Sequence, residues 1–232
     1  MTVRTRTTTL PPGQRRVDGF PRFGTHLHHP PPRVPDDPVI ALTGVVRGSR
    51  TVRLAELAEL PRRELVADFH CVSGWTATGL RWEGVPFTDF YERFVEPALE
   101  PGTTVSHLVL TGLDRIVAVV ELQDVLGCDV LLADRLDGHP LGGDHGAPIR
   151  LVSPAQYGYM NVKHLCRVEV CTQLPADRIP AGIVGRLIEG HPRARVWHEE
   201  RHGHIPGRII RPLYRPLIRP IRYLCERGSQ RS

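Results

Sequence analysis

Apolar and polar residues alternate along the first part of the chain in a pattern that predicts short strands. Residues 38–46 (PVIALTGVV) and 64–71 have the alternation of half-buried strands. Between them, leucines recur at helical spacing over residues 52–60, and Pro61 follows, so we expect a short helix that ends there. Residues 82–86 (WEGVP) predict a turn.

The following segments continue this mixture of elements. A helix is expected from a cap at Thr88 or Asp89 to about Val95, with aromatic side chains facing inward at Phe87, Phe90, Tyr91 and Phe94. The pattern predicts further strands at 105–111, 116–120, 130–133 and 148–152, and a short helix at 121–126. Residues 112–115 have the length of a hairpin loop between the first two of these strands. The elements together indicate an α+β domain.

Glycine and proline, with 22 residues each, suggest three parts of the chain with different character. Residues 1–38 are rich in both and predict an extended arm over the domain surface with little regular structure. Residues 39–190 hold the predicted strands and helices, and residues 191–232 form a tail rich in arginine and proline.

The net charge of +5 is concentrated in the tail, where ten arginines against three glutamates leave −2 for the first 190 residues. Residues 207–224 (GRIIRPLYRPLIRPIRYL) repeat Arg-Pro between apolar residues. Because proline interrupts helices, we expect an extended basic strip here and no regular helix before Pro220. The strip could wrap its own domain, or dock on a redox protein or a membrane surface. Nucleic acid is not expected, since no known binding module accompanies the charge.

Five cysteines without a dense framework indicate free thiols in a reducing compartment. The sequence shows no secretory signal and no apolar run of about 18 residues, which predicts a cytoplasmic protein.

Cys71 is the cysteine with the most informative surroundings. It ends a predicted strand in the stretch ADFHCVSGW, and Gly74 follows closely. A thiolate there could meet a metal or a substrate without a bulky neighbour in the way. The alternative interpretation is a buried and unreactive cysteine.

A second informative stretch, DGHPLGGDHGAPIRLVSPAQYGYMNVKHL, covers residues 137–165. It combines a glycine-rich turn with Arg150 and Lys163, and Lys163 is the only lysine among thirty basic residues. Backbone amides together with one arginine and one lysine suit an anionic phosphate group. A structural turn with an arginine at a strand end is the alternative.

These motifs in this order resemble the sulfite oxidase family of molybdenum cofactor enzymes. The resemblance is carried by HCVSGW at 70–75, WEGVP at 82–86, D-H-G-x-P-x-R from Asp144 and Y-G-x-x-x-x-K-x-L from Tyr157, and covers about residues 20–172. It is strongest to the small bacterial oxidoreductases that carry only the molybdopterin-binding domain. The fold implied is the mixed-sheet molybdopterin-binding domain of that family.

The resemblance implies a molybdenum ion held by a molybdopterin cofactor and by one cysteine thiolate, which maps onto Cys71. It also implies a set of residues at the cofactor, which are His26, His70, Ser73, Asp144, His145, Arg150, Tyr157 and Lys163. The implied reaction is oxygen-atom transfer on a small oxyanion, S-oxide or N-oxide, with electrons exchanged with an external partner. Sulfite oxidases have arginines near the metal, whereas no arginine follows Cys71 here until Arg81, so the sequence leaves the substrate open.

Two other functions compete with this interpretation. The stretch from His198 to His202 matches H-E-x-x-H, in which Glu199 would be the base of a zinc metallopeptidase. A domain that carries the pterin cofactor without turnover is the second alternative.

Overall fold

The computed structural model describes residues 2–4, 9–24, 27–175 and 190–230. Twelve strands and four α-helices are found in these residues. The strands are β1 (Thr2–Arg4), β2 (Arg15–Arg16), β3 (Val39–Gly44), β4 (Arg50–Arg53), β5 (Arg63–His70), β6 (Trp75–Pro86), β7 (His107–Gly112), β8 (Val117–Glu121), β9 (Leu131–Leu136), β10 (His139–Pro140), β11 (Arg150–Val152) and β12 (Leu165–Cys171). The helices are α1 (Leu54–Leu57), α2 (Phe87–Phe90), α3 (Leu122–Val125) and α4 (Gly207–Ser229). A π-helical turn (Tyr91–Val95) and a 3₁₀ turn (Glu96–Ala98) extend α2, and a second 3₁₀ turn covers Gly143–His145.

The strands form two sheets with parallel and antiparallel neighbours, as the predicted α+β class requires. The first sheet has the order β1-β5-β6-β9-β10, and β2 and β11 pair with β6 and β9. The second has the order β4-β3-β12-β7-β8. One hydrophobic cluster packs the second sheet against the aromatic residues of α2 and its extension, and these are buried as predicted. A smaller cluster lies on the first sheet around Trp75 and Trp82 and includes Cys71.

The turn predicted at residues 82–86 is wrong, because these residues belong to the twelve-residue strand β6. Gly84 is required by the close approach of a neighbouring strand and does not form a turn. A Cβ on Gly84 would lie 2.0 Å from the carbonyl oxygen of Leu132 on β9, so only glycine allows the two strands to approach. The predicted caps Thr88 and Asp89 are also wrong, since α2 begins at Phe87 without a side-chain cap.

Strand β12 was not predicted, although it lies inside the second sheet between β3 and β7. Its letters, LCRVEVC, alternate Val168 and Val170 inward with Arg167 and Glu169 away from the core. The N-terminal arm also contains more regular structure than predicted, because β1 and β2 add parallel pairs to β5 and β6.

The tail is a 23-residue helix, so the predicted extended strip is wrong. Pro212, Pro216 and Pro220 lie inside α4 and are all exposed. A spacing of four residues places the three rings on one side of the helix, and proline already holds the φ angle that a helix needs. The lost backbone hydrogen bonds are therefore confined to the solvent side. On the other side, Cys225 and Gly228 are buried against the domain.

Candidate active site at Cys71

A tight turn between β5 and β6 positions Cys71. The backbone N–H of Cys71 donates to the carbonyl of Trp75 at 2.9 Å, and the N–H of Gly74 donates to the carbonyl of Cys71 at 3.0 Å. Gly74 has a φ angle of +102°, which favours glycine. The turn thus fixes the thiol at the edge of the smaller hydrophobic cluster, where it is 7% exposed.

Burial raises the pKa of the Cys71 thiol, and nearby groups oppose this effect. The Sγ atom lies 3.1 Å from the hydroxyl oxygen of Ser73. This hydrogen bond and the positive charges of Arg201 and Lys163 favour the thiolate. Cys71 is therefore a buried thiol in a locally positive environment.

Arg201 is the residue near Cys71 that sequence analysis missed. Its guanidinium is fully buried, donates from Nη1 to the carbonyl of Val72 and from Nη2 to the carbonyl of Pro12 at 3.3 Å, and lies 5.0 Å above the ring of Tyr157. The buried Nε atom has no hydrogen-bond partner among the described residues. A carboxylate oxygen of Glu199 lies 3.9 Å from this Nε atom. The chain therefore supplies a buried cation beside the Cys71 turn, although none follows Cys71 in sequence.

A buried polar chain supports the other side of the turn. The hydroxyl of Thr76 donates to Oε1 of Gln14 at 3.0 Å, and it lies 2.9 Å from Nδ1 of His70. Gln14 in turn donates to the carbonyl of Cys71 at 3.1 Å. Since the Thr76 proton is already used, Nδ1 of His70 is the donor in their contact. Burial lowers the pKa of His70 to about 4, so its ring is neutral with the lone pair on Nε2.

The glycine-rich stretch forms a second group of buried residues. Arg150 is fully buried and donates to the carbonyls of His145 at 2.9 Å and Asn161 at 3.2 Å. Its guanidinium also lies 5.1 Å from the ring of Trp82, and burial lowers its pKa to about 9. Among the described residues, the hydrogen-bond partners of Arg150 are carbonyl groups and include no carboxylate. Its charge is thus held by carbonyl dipoles and aromatic faces.

Two further cations surround Asp144 in this group. Lys163 donates to the carbonyl of Asp144 at 2.7 Å, and Nε of Arg22 lies 3.5 Å from its carboxylate. Burial, followed by the charges of Arg150 and Arg22, lowers the pKa of Lys163 to about 7. Arg22, Arg150 and Lys163 outnumber Asp144 and Asp114, the two carboxylates that act on Lys163, and such an excess of buried positive charge suits a phosphate group.

His145 borders a cavity of about 670 Å³ beside these cations. Its ring stacks on Phe20 with centroids 4.6 Å apart, and its buried Nδ1 atom has no partner among the described residues. Burial, followed by the charges of Lys163 and Arg150, lowers the pKa of His145 to about 4. The cavity is lined by residues 30–33, residues 142–145 and Ser229. The tail helix thus borders it, and the Ser229 hydroxyl donates to Asp144 at 2.7 Å.

The structure groups the predicted residues around two centres. His70, Ser73 and Tyr157 lie near Cys71, whereas Asp144, His145, Arg150 and Lys163 form the cationic group. The remaining predicted residue, His26, lies outside the described residues.

The H-E-x-x-H interpretation is not supported. Zinc binding by this motif needs a helix, but residues 196–199 form turns and Glu199 has a φ angle of +53°. Nε2 of His202 instead lies 2.5 Å from the hydroxyl of Tyr214 on α4. In the part of the chain that the structure describes, no three acidic, His or Cys side chains are grouped to hold a metal ion.

Comparison with known proteins assigns the family. The profile of the oxidoreductase molybdopterin-binding domain matches residues 27–177. The chain therefore belongs to this family, and the resemblance to sulfite oxidases is confirmed. A putative protein-methionine-sulfoxide reductase subunit YedZ1 from Azospira oryzae is 29% identical over 59% of this chain and 50% of its own length. Human mitochondrial sulfite oxidase is 29% identical over 65% of this chain and 32% of its own length.

A solved structure gives the same fold. The sulfane dehydrogenase SoxCD from Paracoccus pantotrophus aligns with a TM-score of 0.53 and 21% identity, covering 69% of this chain and 44% of that chain. This chain spans about half or less of these relatives' length.

The family defines a molybdopterin-dependent oxidoreductase domain, and the cofactor indicated is molybdenum with molybdopterin. The described residues fit this cofactor in two respects. They offer a soft sulfur ligand at Cys71, and they offer an excess of buried positive charge with an unpaired ring nitrogen at His145.

Proposed function

We propose that this chain is the catalytic domain of a molybdenum enzyme that transfers an oxygen atom to or from a small S- or N-centred substrate. The observation that carries the proposal is the Cys71 turn, in which a free thiol is buried beside the guanidinium of Arg201. A thiol kept for packing alone gains nothing from a buried positive charge, whereas a thiolate ligand does.

Cys71 would be the protein ligand of the metal. The Ser73 hydroxyl, 3.1 Å from the sulfur, and the charge of Arg201 both favour the thiolate form and oppose the effect of burial on the pKa of Cys71. When bound, the molybdenum centre supplies two-electron oxygen-atom transfer. The neutral ring of His70, with its free Nε2 lone pair, would accept a hydrogen bond from the cofactor.

The cationic group would hold the phosphate of the pterin cofactor. Arg22, Arg150 and Lys163 supply the positive charge, and Asp144 orients two of them through its carbonyl and carboxylate oxygens. His145, stacked on Phe20, offers a ring nitrogen beside the cavity. Tyr157, under the Arg201 guanidinium, would keep that cation in place beside the Cys71 turn.

The buried guanidinium of Arg201 affects which substrate the site would accept. The sequence places no arginine soon after Cys71, so another residue must supply a positive charge there. Arg201 would provide the missing positive charge from the tail, and a positive charge beside Cys71 favours a substrate with an electron-rich oxygen acceptor. An S-oxide, an N-oxide or a small oxyanion offers such an acceptor. Reduction of an S-oxide consumes two electrons and two protons and releases its oxygen as water, so an external electron-transfer partner belongs to the proposal.

Metal and pterin analysis of the purified protein tests the proposal. We expect molybdenum and a fluorescent pterin, and turnover of sulfite, S-oxides or N-oxides with an artificial electron carrier. Cys71→Ser should lose turnover to background while the fold is kept. Cys128→Ser, which changes an exposed cysteine, is the matched control and should retain wild-type turnover. A protein without molybdenum, together with a Cys71→Ser variant equal to wild type in every redox assay, would contradict the proposal.

A further inference from the structure

Helix α4 exposes a row of large apolar side chains. Ile209, Leu213 and Leu217 follow one another at four-residue spacing and are 59%, 64% and 49% exposed. Tyr223, which is 56% exposed, extends the same side of the helix. Among the described residues, four of the seven exposed large hydrophobic side chains lie on this helix, so the exposure is concentrated in one surface.

A row of arginines runs along another side of the helix. Arg208, Arg215, Arg219 and Arg222 are exposed, and a rotation of about 100° per residue places them together, across the exposed prolines from the apolar row. Glu226 is the only acidic residue between Gly207 and Ser229. We call the two rows together the α4 surface.

The remaining side of α4 is fixed against the domain, so the α4 surface cannot turn inward. Tyr214 contacts His202, and Arg22 donates to the carbonyl of Cys225 at 3.5 Å. A Cβ on Gly228 would lie 2.6 Å from the carbonyl oxygen of His29, which shows how closely the helix and the arm approach. The docked helix therefore presents its apolar and basic rows to the outside.

We propose that the α4 surface binds an anionic lipid membrane, with the helix lying in the plane of the interface. A helix with one apolar side and another side rich in arginine is complementary to a surface in which hydrocarbon lies next to negatively charged phosphate groups. The arginine side chains can reach the headgroups while the leucines enter the boundary of the hydrocarbon. At about 1.5 Å per residue the helix is roughly 35 Å long, which suits an extended flat surface better than a pocket.

The prolines limit how deeply α4 enters. Pro212, Pro216 and Pro220 lie on the exposed side and donate no backbone hydrogen bond, and the carbonyls one turn before them need another donor. Such donors exist in the hydrated interface but not in the hydrocarbon core. No helix of the described residues is long and apolar enough to span a membrane, which agrees with binding at the surface.

Vesicle flotation of the full chain tests this proposal independently of the cofactor. We expect at least about tenfold stronger binding to phosphatidylcholine vesicles that contain phosphatidylglycerol than to phosphatidylcholine alone, and a loss of that difference at high salt. The double change Arg215→Gln and Arg219→Gln should weaken binding about 30-fold, and Leu213→Gln with Leu217→Gln at least about tenfold. None of these side chains belongs to the two centres of the site, so turnover should be retained.

Matched controls come from exposed residues elsewhere. Arg93→Gln with Arg167→Gln removes the same charge, and Leu174→Gln removes one exposed leucine. Both control proteins should bind vesicles within about twofold of wild type. The proposal is overturned if wild type does not bind, or if the controls weaken binding as much as the α4 variants do. It is also overturned if the leucine variant abolishes a dimer seen by light scattering and leaves vesicle binding unchanged, since the α4 surface would then join two copies of the chain.

Discussion

Replacing Arg201 with methionine tests how the tail is held against the Cys71 turn. The guanidinium is fully buried and joins three separate parts of the chain through the Val72 carbonyl, the Pro12 carbonyl and the Tyr157 ring. Methionine fills a similar volume but donates no hydrogen bond. The change therefore separates the polar role of Arg201 from its packing.

The structure sets the expected magnitude. A hydrogen bond from a charged donor contributes roughly 1.5–3 kcal/mol, and we expect most of this from the bond to the partly buried carbonyl of Val72. Pro12 is exposed, so water can replace that bond at little cost. The contact with Tyr157 adds about 1 kcal/mol. Because removing a buried charge recovers part of its desolvation energy, we expect Arg201→Met to lose about 2–4 kcal/mol of unfolding free energy.

Two measurements check the result. Urea unfolding gives the loss of stability, and pulse alkylation read by mass spectrometry on the Cys71 peptide should become faster as the tail loosens. Arg201→Lys should have an unfolding free energy and an alkylation rate between those of wild type and Arg201→Met, since one ammonium cannot reproduce the several donors of the planar guanidinium. Arg208→Met, an exposed change in the same tail, should stay within about 0.5 kcal/mol of wild type. Wild-type unfolding and alkylation in Arg201→Met would show that this guanidinium does not hold the tail.

Three further predictions concern the domain itself. Gly84→Ala should lose about 2 kcal/mol or more of unfolding free energy, because the new Cβ would lie 2.0 Å from a backbone oxygen. Gly142→Ala is the control: a Cβ there meets open space, so this variant should unfold at the wild-type urea midpoint. Asn161→Ala should lose about 2–4 kcal/mol in the same assay, since Asn161 accepts from the N–H of Ser153 at 2.7 Å and its side chain is buried; an unchanged midpoint would contradict this role. The pKa of Lys163, lowered to about 7, lies below its unfolded value, so the unfolded chain holds more protons between about pH 7 and 10.5. Stability of the cofactor-free protein should therefore rise with pH in that range by up to about 1.4 kcal/mol per unit, and Lys163→Met should abolish the rise.

Local patterns were sufficient for half of the twelve strands that the structure describes and for the family. The alternation at residues 38–46 and 64–71 predicted β3 and β5, because a strand buried on one face must alternate its side chains. The motifs around Cys71, the glycine-rich stretch and Lys163 indicated the cofactor through their resemblance to the sulfite oxidase family. The same local logic failed at residues 82–86 and in the tail. At residues 82–86 the neighbouring strand β9 requires a glycine inside a strand, and in the tail the underlying domain stabilises a helix that contains prolines.

The sequence by itself determined which groups are available for the proposed site, namely a thiol as candidate metal ligand and cations that suit a phosphate. The tertiary structure alone decided which other residues reach that site. Arg201 contacts Val72 across 129 residues of sequence, and Arg22 contacts Cys225 across 203. Such partners leave no periodic signal among twenty-nine arginines, because their positions depend on how distant segments pack and not on local spacing. The positive charge that the sequence lacked near Cys71 is therefore supplied by the folded tail.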